Sequence, residues 1–301
     1  MDTPAPIMVH DSVITENYVV VFDFPLTVRP KRFLLDQFPV EYEPSHGARI
    51  GLIPRCDGKA KTSGQDESEM IWFDVDPGVV LHLANAYEND DGNVVIHGFK
   101  SIPKVDSSYI LDYTSSFLHE WVVNPKSEKV IYDQCLNPNE IVEFPSVEDR
   151  VVSKKSEYCY GLKVTSICPT MEQFKTPQSG VLLDGVLKMS LGDKEEGVMN
   201  GDVIGRYVLP TGWHFVSEPT VVSKTGRDDA HYVLLIATEV PDEDRRNINH
   251  VRCVTDEKLM KSQLLVLDGD DICAGPVSIV DLPYHVNYGL HSLFVPWDCM
   301  K

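Results

Sequence analysis

Three histidines lie too far apart to form a local metal motif, yet they share similar surroundings. His10 precedes "DSVITENYVVVF", His82 lies in "GVVLHLANAYE" and His291 in "NYGLHSLFVPW". Each is flanked by apolar or small residues and is expected to touch a strand end. Their successive separations are 72 and 209 positions, so only a fold that gathers distant segments could use them together. Neutral imidazole suits a borderline transition metal such as Fe(II) and leaves the metal's charge in place. A metal-bound imidazole needs an acceptor for its second nitrogen, usually a carboxylate. Glu143 in "IVEFPSVE" and Glu218 in "HFVSEPTVV" fit that role, because a carboxylate among strand-like apolar residues must be offered a donor. The same five residues also fit core histidines and structural carboxylates, and their types and spacing leave both readings open.

The elements that would position them are strands. "NYVVVFDFPLTV" (17–28), "NVVIHGF" (93–99), "HYVLLIATEV" (231–240), "QLLVLDG" (263–269) and "PVSIVDLP" (276–283) are short, rich in β-branched and aromatic residues, and bounded by Asp, Gly, Asn or Pro. The last third reads as successive strands of one radial blade, with "DGDD" and "AGP" supplying turns. Similar spacing recurs around 71–99 and 107–133. Regular short strands over this length predict an all-β propeller or barrel. Short helical turns are expected in "PKRFLLDQF" (30–38) and "TDEKLMKSQ" (255–263), and polar loops at 56–69, 145–157 and 239–250. No segment is long or biased enough to divide the chain, so residues 1–301 are read as a single domain.

Composition narrows the function classes. The 301 residues are 43% hydrophobic, enough for a sizeable core, and carry a formal net charge of −19. Such an acidic chain repels phosphate backbones, which argues against nucleic-acid partners. No apolar run reaches the length of a membrane-spanning helix, and "MDTPAPIMVH" has no secretory signal pattern. Seven cysteines without a C-x-x-C pair read as reduced thiols of an intracellular protein.

The blocks "HDSVITENYVVVFDFPL", "ARIGLIPR", "WFDVDPGVVLHLANAYE", "VEFPSV", "SEYCYG", "HFVSEPTVV" and "GPVSIVDLPYHVNYGLHSLFVPW" resemble, in order, those of the carotenoid cleavage oxygenase family. They run from residue 10 to residue 297, nearly the whole chain. The resemblance implies a seven-bladed β-propeller with a non-haem Fe(II) on its axis, held by four histidines. Glutamates behind the ligands hold three of those histidines. The implied reaction adds O2 across a C=C bond of a carotenoid or apocarotenoid and splits it into two carbonyl products. Some relatives cleave stilbenes, and one branch isomerises retinyl esters. Residue by residue, His10, His82 and His291 match the second, third and fourth ligands, and Glu143 and Glu218 match two of the supporting acids. Asn287 and Tyr288 depart from the proline-containing turn usual before the last ligand, while Gly289 and His291 keep their places.

The first ligand and its glutamate belong to blocks upstream of "HDSVITENY", where this chain has nine residues. The chain is therefore expected to be the C-terminal portion of a family member, with an incomplete propeller whose N-terminal blades are missing. Expressed alone, it is expected to be poorly soluble and little active. The other class of reading is a pseudoenzyme or fragment that binds an apolar polyene without catalysis; a third is a metal-free scaffold. Phe22, Phe24, Phe73, Phe144, Trp213, Phe215, Tyr288, Leu290 and Phe294 are candidates for an apolar tunnel or its rim, with core packing the competing role. Tyr18, Asn85, Tyr87 and Glu88 read as supports of the ligand blocks. "KRFLLDQF" (31–38) is a candidate for peripheral membrane contact, and the family compartment would be plastid or cytoplasm.

Overall fold

The computed structural model describes residues 6–35, 39–56, 59–60, 70–103, 115–166, 182–192, 197–225, 230–239, 261–287, 289 and 291–300. The chain forms two compact units, Met1–Glu143 with Arg150–Glu157, and Phe144–Asp149 with Tyr158–Lys301. Both are built from antiparallel strands joined mainly to their sequence neighbours, with helix limited to short 3-10 turns among the described residues.

In the first unit, β1 (Val13–Ile14), β2 (Tyr18–Asp23), β3 (Leu26–Val28), β4 (Val40–Tyr42), β5 (Ala48–Cys56), β6 (Lys59–Ala60) and β7 (Ile71–Val75) make a sheet ordered β1-β2-β5-β6, with β7 also on β5, and a β3–β4 hairpin. The predicted strand at 17–28 is thus two strands, broken at Phe24–Pro25, because proline cannot continue the ladder. Next, β8 (Val79–Glu88), β9 (Val94–Ser101), β10 (Ser116–Asn124) and β11 (Lys129–Cys135) form a four-stranded meander ordered β11-β10-β9-β8. β9 is buried on both faces and reads accordingly as "VVIHGFKS", whereas the edge strand β11 is largely exposed. The core joins Val20, Phe22, Phe24, Ile50, Leu52, Phe73 and Trp121, with the Phe22 and Trp121 rings edge to face at 5.3 Å.

In the second unit, β12 (Val142–Ser146), which starts at the end of the first unit, β13 (Tyr158–Ser166), β14 (Leu182–Ser190) and β15 (Val203–Val208) form one sheet in chain order. β16 (Trp213–Phe215), β17 (Thr220–Ser223), β18 (His231–Glu239), β19 (Ser262–Asp268) and β20 (Pro276–Asp281) form another, ordered β16-β18-β19-β20 with β17 also on β18. This second sheet contains the strands predicted at 231–240, 263–269 and 276–283. The turn "DGDDICAGP" works as its residue types suggest. The Asp271 carboxylate accepts from the Cys273 and Ala274 amides, and Gly275 takes φ +83°.

Pro30–Leu35 forms the expected 3-10 turn. The second expected turn, 255–263, lies outside the described residues up to 260; Ser262 and Gln263 begin β19, so its end is strand. Alternating apolar residues in "SQLLVLD" outweigh any helical tendency there. Asp149–Val151 gives the 145–157 loop a 3-10 turn, while most of the 56–69 and 239–250 loops lie outside the described residues. No described helix is long and apolar enough to cross a membrane.

Buried histidines are expected to make both units sensitive to acid. His214 on β16 is 4% exposed. Burial, then the neighbouring His285, pushes its pKa from 6.5 to about 4. His119 and His231 are also lowered, chiefly by burial. A histidine kept neutral in the fold contributes stability that is full above its unfolded pKa of 6.5. That stability is lost as pH falls from 6.5 towards the folded value, where the unfolded chain alone takes the proton. For His214 the loss is on the order of 3 kcal/mol. The unfolding midpoint should therefore drop steeply between pH 7 and pH 4, and His214→Gln should flatten that slope. A midpoint unchanged at pH 4.5 would contradict this.

Candidate metal centre

His10 lies three residues ahead of β1, on the approach to the strand. Its Nδ1 donates to the Leu81 carbonyl at 2.8 Å. A carbonyl only accepts, so His10 is the Nδ1–H tautomer and its lone pair is on Nε2. His82 sits inside β8, not at a strand end, because β8 bulges there. Gly98 opposite permits the bulge: a Cβ on it would stand 2.7 Å from Leu83 Cδ2 and 3.2 Å from the His82 carbonyl. His82 Nδ1 donates to Glu143 Oε2 at 2.6 Å, which likewise leaves the lone pair on the buried Nε2. The His10 and His82 rings meet edge on, with centroids 4.9 Å apart and planes at 89°.

Glu143, on β12, is 3% exposed. Its second oxygen lies 3.0 Å from Ser116 Oγ, whose single proton it shares with the Val142 carbonyl at 2.5 Å. Ser116, the first residue of β10, carries no sequence signal for this role, since it lies 27 positions from Glu143.

The second unit holds the other predicted pair. His291 Nδ1 donates to Glu218 Oε2 at 3.1 Å, and the Ser292 amide donates to Glu218 Oε1 at 2.9 Å. Thr220 and Ser292 hydroxyls bond each other at 2.8 Å beneath this contact. Gly289 donates its amide to the Val216 carbonyl at 2.9 Å, which ties the last segment to the end of β16. The Phe144 ring lies 5.9 Å from His291. Phe144 holds a left-handed backbone with φ 58°, which costs a bulky residue on the order of 1–3 kcal/mol and persists only where its surroundings impose it.

The supporting residues tie one block to another. Glu88 at the end of β8 accepts from Thr15 Oγ1 at 2.7 Å, the Asn17 amide at 2.8 Å and Asn17 Nδ2 at 2.9 Å. Burial would raise its carboxyl, but the Asn17 and Thr15 bonds outweigh it and hold the pKa below the ordinary value. Asn85 donates to the Val151 and Lys154 carbonyls and accepts from the Ser153 amide. Four of the other described histidines bond elsewhere: His46 to Asp23, His97 to Glu120, His119 to Asp133 and His231 to Tyr160. Of the tunnel candidates, Phe22, Phe24 and Phe73 pack in the first unit's core. Phe144 and Phe215 are buried, and Phe294 is 45% exposed. Trp213 lines a cavity of about 730 Å³ with Tyr284 and His285. Tyr288 and Leu290 lie outside the described residues.

Among the described residues no group of three or more His, Cys, Asp or Glu side chains is gathered to hold a metal. His10 and His82 belong to the first unit and His291 to the second. The His10–His82 pair nevertheless fits a transition metal. With metal–nitrogen bonds of about 2.1 Å, two imidazoles at neighbouring positions on one metal would have centroids about 4.6 Å apart, close to the 4.9 Å of this pair. Each ring is also held through Nδ1 by an oxygen acceptor, the usual support of a ligating histidine.

The chain is similar to known proteins. The family model described as RPE65, retinal pigment epithelial membrane protein, matches residues 1–296. The carotenoid 9,10(9',10')-cleavage dioxygenase 1 of Phaseolus vulgaris is 30% identical over 96% of this chain and 49% of its own length. The chain spans about half the length of the curated relatives it matches. Among solved structures, the lignostilbene dioxygenase of Pseudomonas brassicacearum superposes with a TM-score of 0.68 at 21% identity, covering 95% of this chain and 54% of that one. A cobalt-substituted apocarotenoid oxygenase from Synechocystis gives 0.65 at 21% identity, covering 95% and 52%. The structural likenesses carry the fold, an all-β arrangement of antiparallel sheets. By the family match over nearly its whole length, the chain belongs to the RPE65 family, that of the carotenoid cleavage dioxygenases.

Proposed function

We propose that this chain is the C-terminal portion of a non-haem Fe(II) dioxygenase that cleaves a C=C bond of a carotenoid or apocarotenoid. His10, His82 and His291 are three of its iron ligands, and Glu143 and Glu218 support two of them. One observation carries the reading: all three histidines spend Nδ1 on an oxygen acceptor, so each presents the same nitrogen, Nε2, as its lone pair. In the whole protein the antiparallel sheets would be blades of a seven-bladed propeller.

Bound iron would supply O2 activation, so that both oxygen atoms end in the two carbonyl products. The protein's residues do the positioning. Glu143 holds His82 in one ring orientation and is itself held by Ser116. Glu218 does the same for His291, with its other oxygen fixed by the Ser292 amide. Imidazole ligands add no charge to the metal, and carboxylates behind them raise ring basicity without occupying a coordination position. The Phe144 ring beside His291 offers an apolar surface that suits a hydrocarbon substrate. Leu34, 86% exposed on the Pro30–Leu35 turn, supports contact of that turn with an apolar surface such as a membrane.

The test is iron content after anaerobic reconstitution with Fe(II). The wild-type chain should hold about one iron, and His82→Ala and His291→Ala should each abolish it. Retention of iron by both variants would overturn the ligand assignment. A folded wild-type chain that takes no iron would leave the reading as a polyene-binding fragment.

A further inference from the structure

β8 loses register with β9 twice around His82. Val80 pairs with Lys100 and Leu83 with Gly98, so Leu81 and His82 together face Phe99; the next pair is Asn85 with His97, which leaves Ala84 extra. Bulged residues leave backbone groups outside the ladder. Two of these groups are taken by the segment before β1. The Leu81 carbonyl accepts from His10 Nδ1 at 2.8 Å, and the Leu83 amide donates to Asp11 Oδ2 at 2.9 Å. Asp11 Oδ1 accepts from the Ser12 amide at 2.7 Å. His10 and Asp11, adjacent in sequence, therefore grip the two residues on either side of His82. A single tether through Nδ1 would leave the His10 ring free to swing about that bond. The second tether, through Asp11, fixes the backbone from which the ring projects. Both Asp11 oxygens accept from backbone N–H groups. An asparagine could satisfy only one of them, because its amide nitrogen would face a donor.

We propose that Asp11 is a positioning residue for the His10–His82 pair, fastening the backbone of His10 to the bulge that presents His82. The proposal rests on the metal reading of that pair. It goes beyond it in predicting that a half-buried loop carboxylate, itself no ligand, sets metal affinity by holding two rings at their 4.9 Å separation.

The experiment uses the 301-residue chain with Co(II) as the spectroscopic probe, titrated anaerobically, and amide hydrogen exchange at Leu83 in the metal-free protein. Asp11→Asn should speed Leu83 exchange by about tenfold or more and weaken Co(II) binding by about 10–100-fold. Ser223→Ala cuts a bond to the buried Glu148 in the second unit, so it should lower thermal stability and leave Co(II) affinity within about twofold of wild type. Asp11→Ser, which keeps one acceptor, should fall between wild type and Asp11→Asn, and carries both readouts if Asp11→Asn does not fold. Wild-type Co(II) affinity in a folded Asp11 variant overturns the positioning role and leaves the metal reading standing. A wild-type chain that takes up no Co(II) overturns both. Unfolding of both Asp11 variants would make Asp11 a folding residue and overturn the proposal as well.

Discussion

Replacing Asp133 by alanine should destabilise the protein by about 3–5 kcal/mol, the range for removing one partner of a buried ion pair. Asp133 projects from β11 to three donors. Its Oδ1 accepts from Lys100 Nζ at 3.2 Å and His119 Nε2 at 2.6 Å, and its Oδ2 from the Asp76 amide at 2.7 Å. Lys100 on β9 has a side chain only 2% exposed, beneath the Trp121 ring at 5.7 Å. Burial would raise the Asp133 carboxyl, but the His119 bond, the Asp76 amide and the Lys100 charge together hold it below its ordinary value. Without it, an ammonium is stranded in a dry site and an imidazole N–H loses its acceptor. Denaturant unfolding of Asp133→Ala measures the loss, and a change below about 1 kcal/mol would refute the assignment. The double variant Lys100→Met/Asp133→Leu should recover most of the stability, because apolar groups of similar volume often replace a buried pair at little cost.

That network shows what a sequence can and cannot disclose. Lys100 and Asp133 stand 33 positions apart in strands whose apolar pattern was plain, but no local signal pairs them. The strands were legible from β-branched runs and turn residues, as in β18, β19 and β20, where "DGDD" and "AGP" mark the corners. The candidate ligands were legible because their blocks are dense in unusual residues. "HDSVITENY" and "HLANAYE" turn out to bond directly, His10 to Leu81, Asp11 to Leu83, and Thr15 and Asn17 to Glu88. The bulge at His82 was not legible. It depends on Gly98 in the neighbouring strand and on the His10–Asp11 segment arriving to use the freed backbone groups. Ser116 was equally silent, since a serine at the start of a strand has many roles and only the fold aims it at Glu143.

Gly269→Ala should be comparably disruptive, and for a steric reason. A Cβ at Gly269 would lie 2.2 Å from His231 Nε2 and 2.4 Å from Cδ2, well inside contact distance. Neither side can retreat. The Gly269 amide donates to the His231 carbonyl at 3.0 Å, and its own carbonyl accepts from Lys188 Nζ at 2.7 Å and Tyr160 Oη at 3.1 Å. Tyr160 has one proton and gives it to Gly269, so it must accept at 2.7 Å from His231 Nε2–H. His231, fully buried, also stacks on Tyr158, whose ring carries Lys188 at 4.1 Å on a cation–π contact. Overpacking costs about 1–3 kcal/mol. Pushing the ring aside strands the buried His231 Nε2–H for about 1–3 kcal/mol more. The sum of about 2–6 kcal/mol is large against the stability of an ordinary domain. The cause can be separated from any backbone effect. In a His231→Ala background the ring is gone, and Gly269→Ala should then cost less than about 1 kcal/mol. An equal cost in both backgrounds would place the penalty in the glycine backbone and not in the ring.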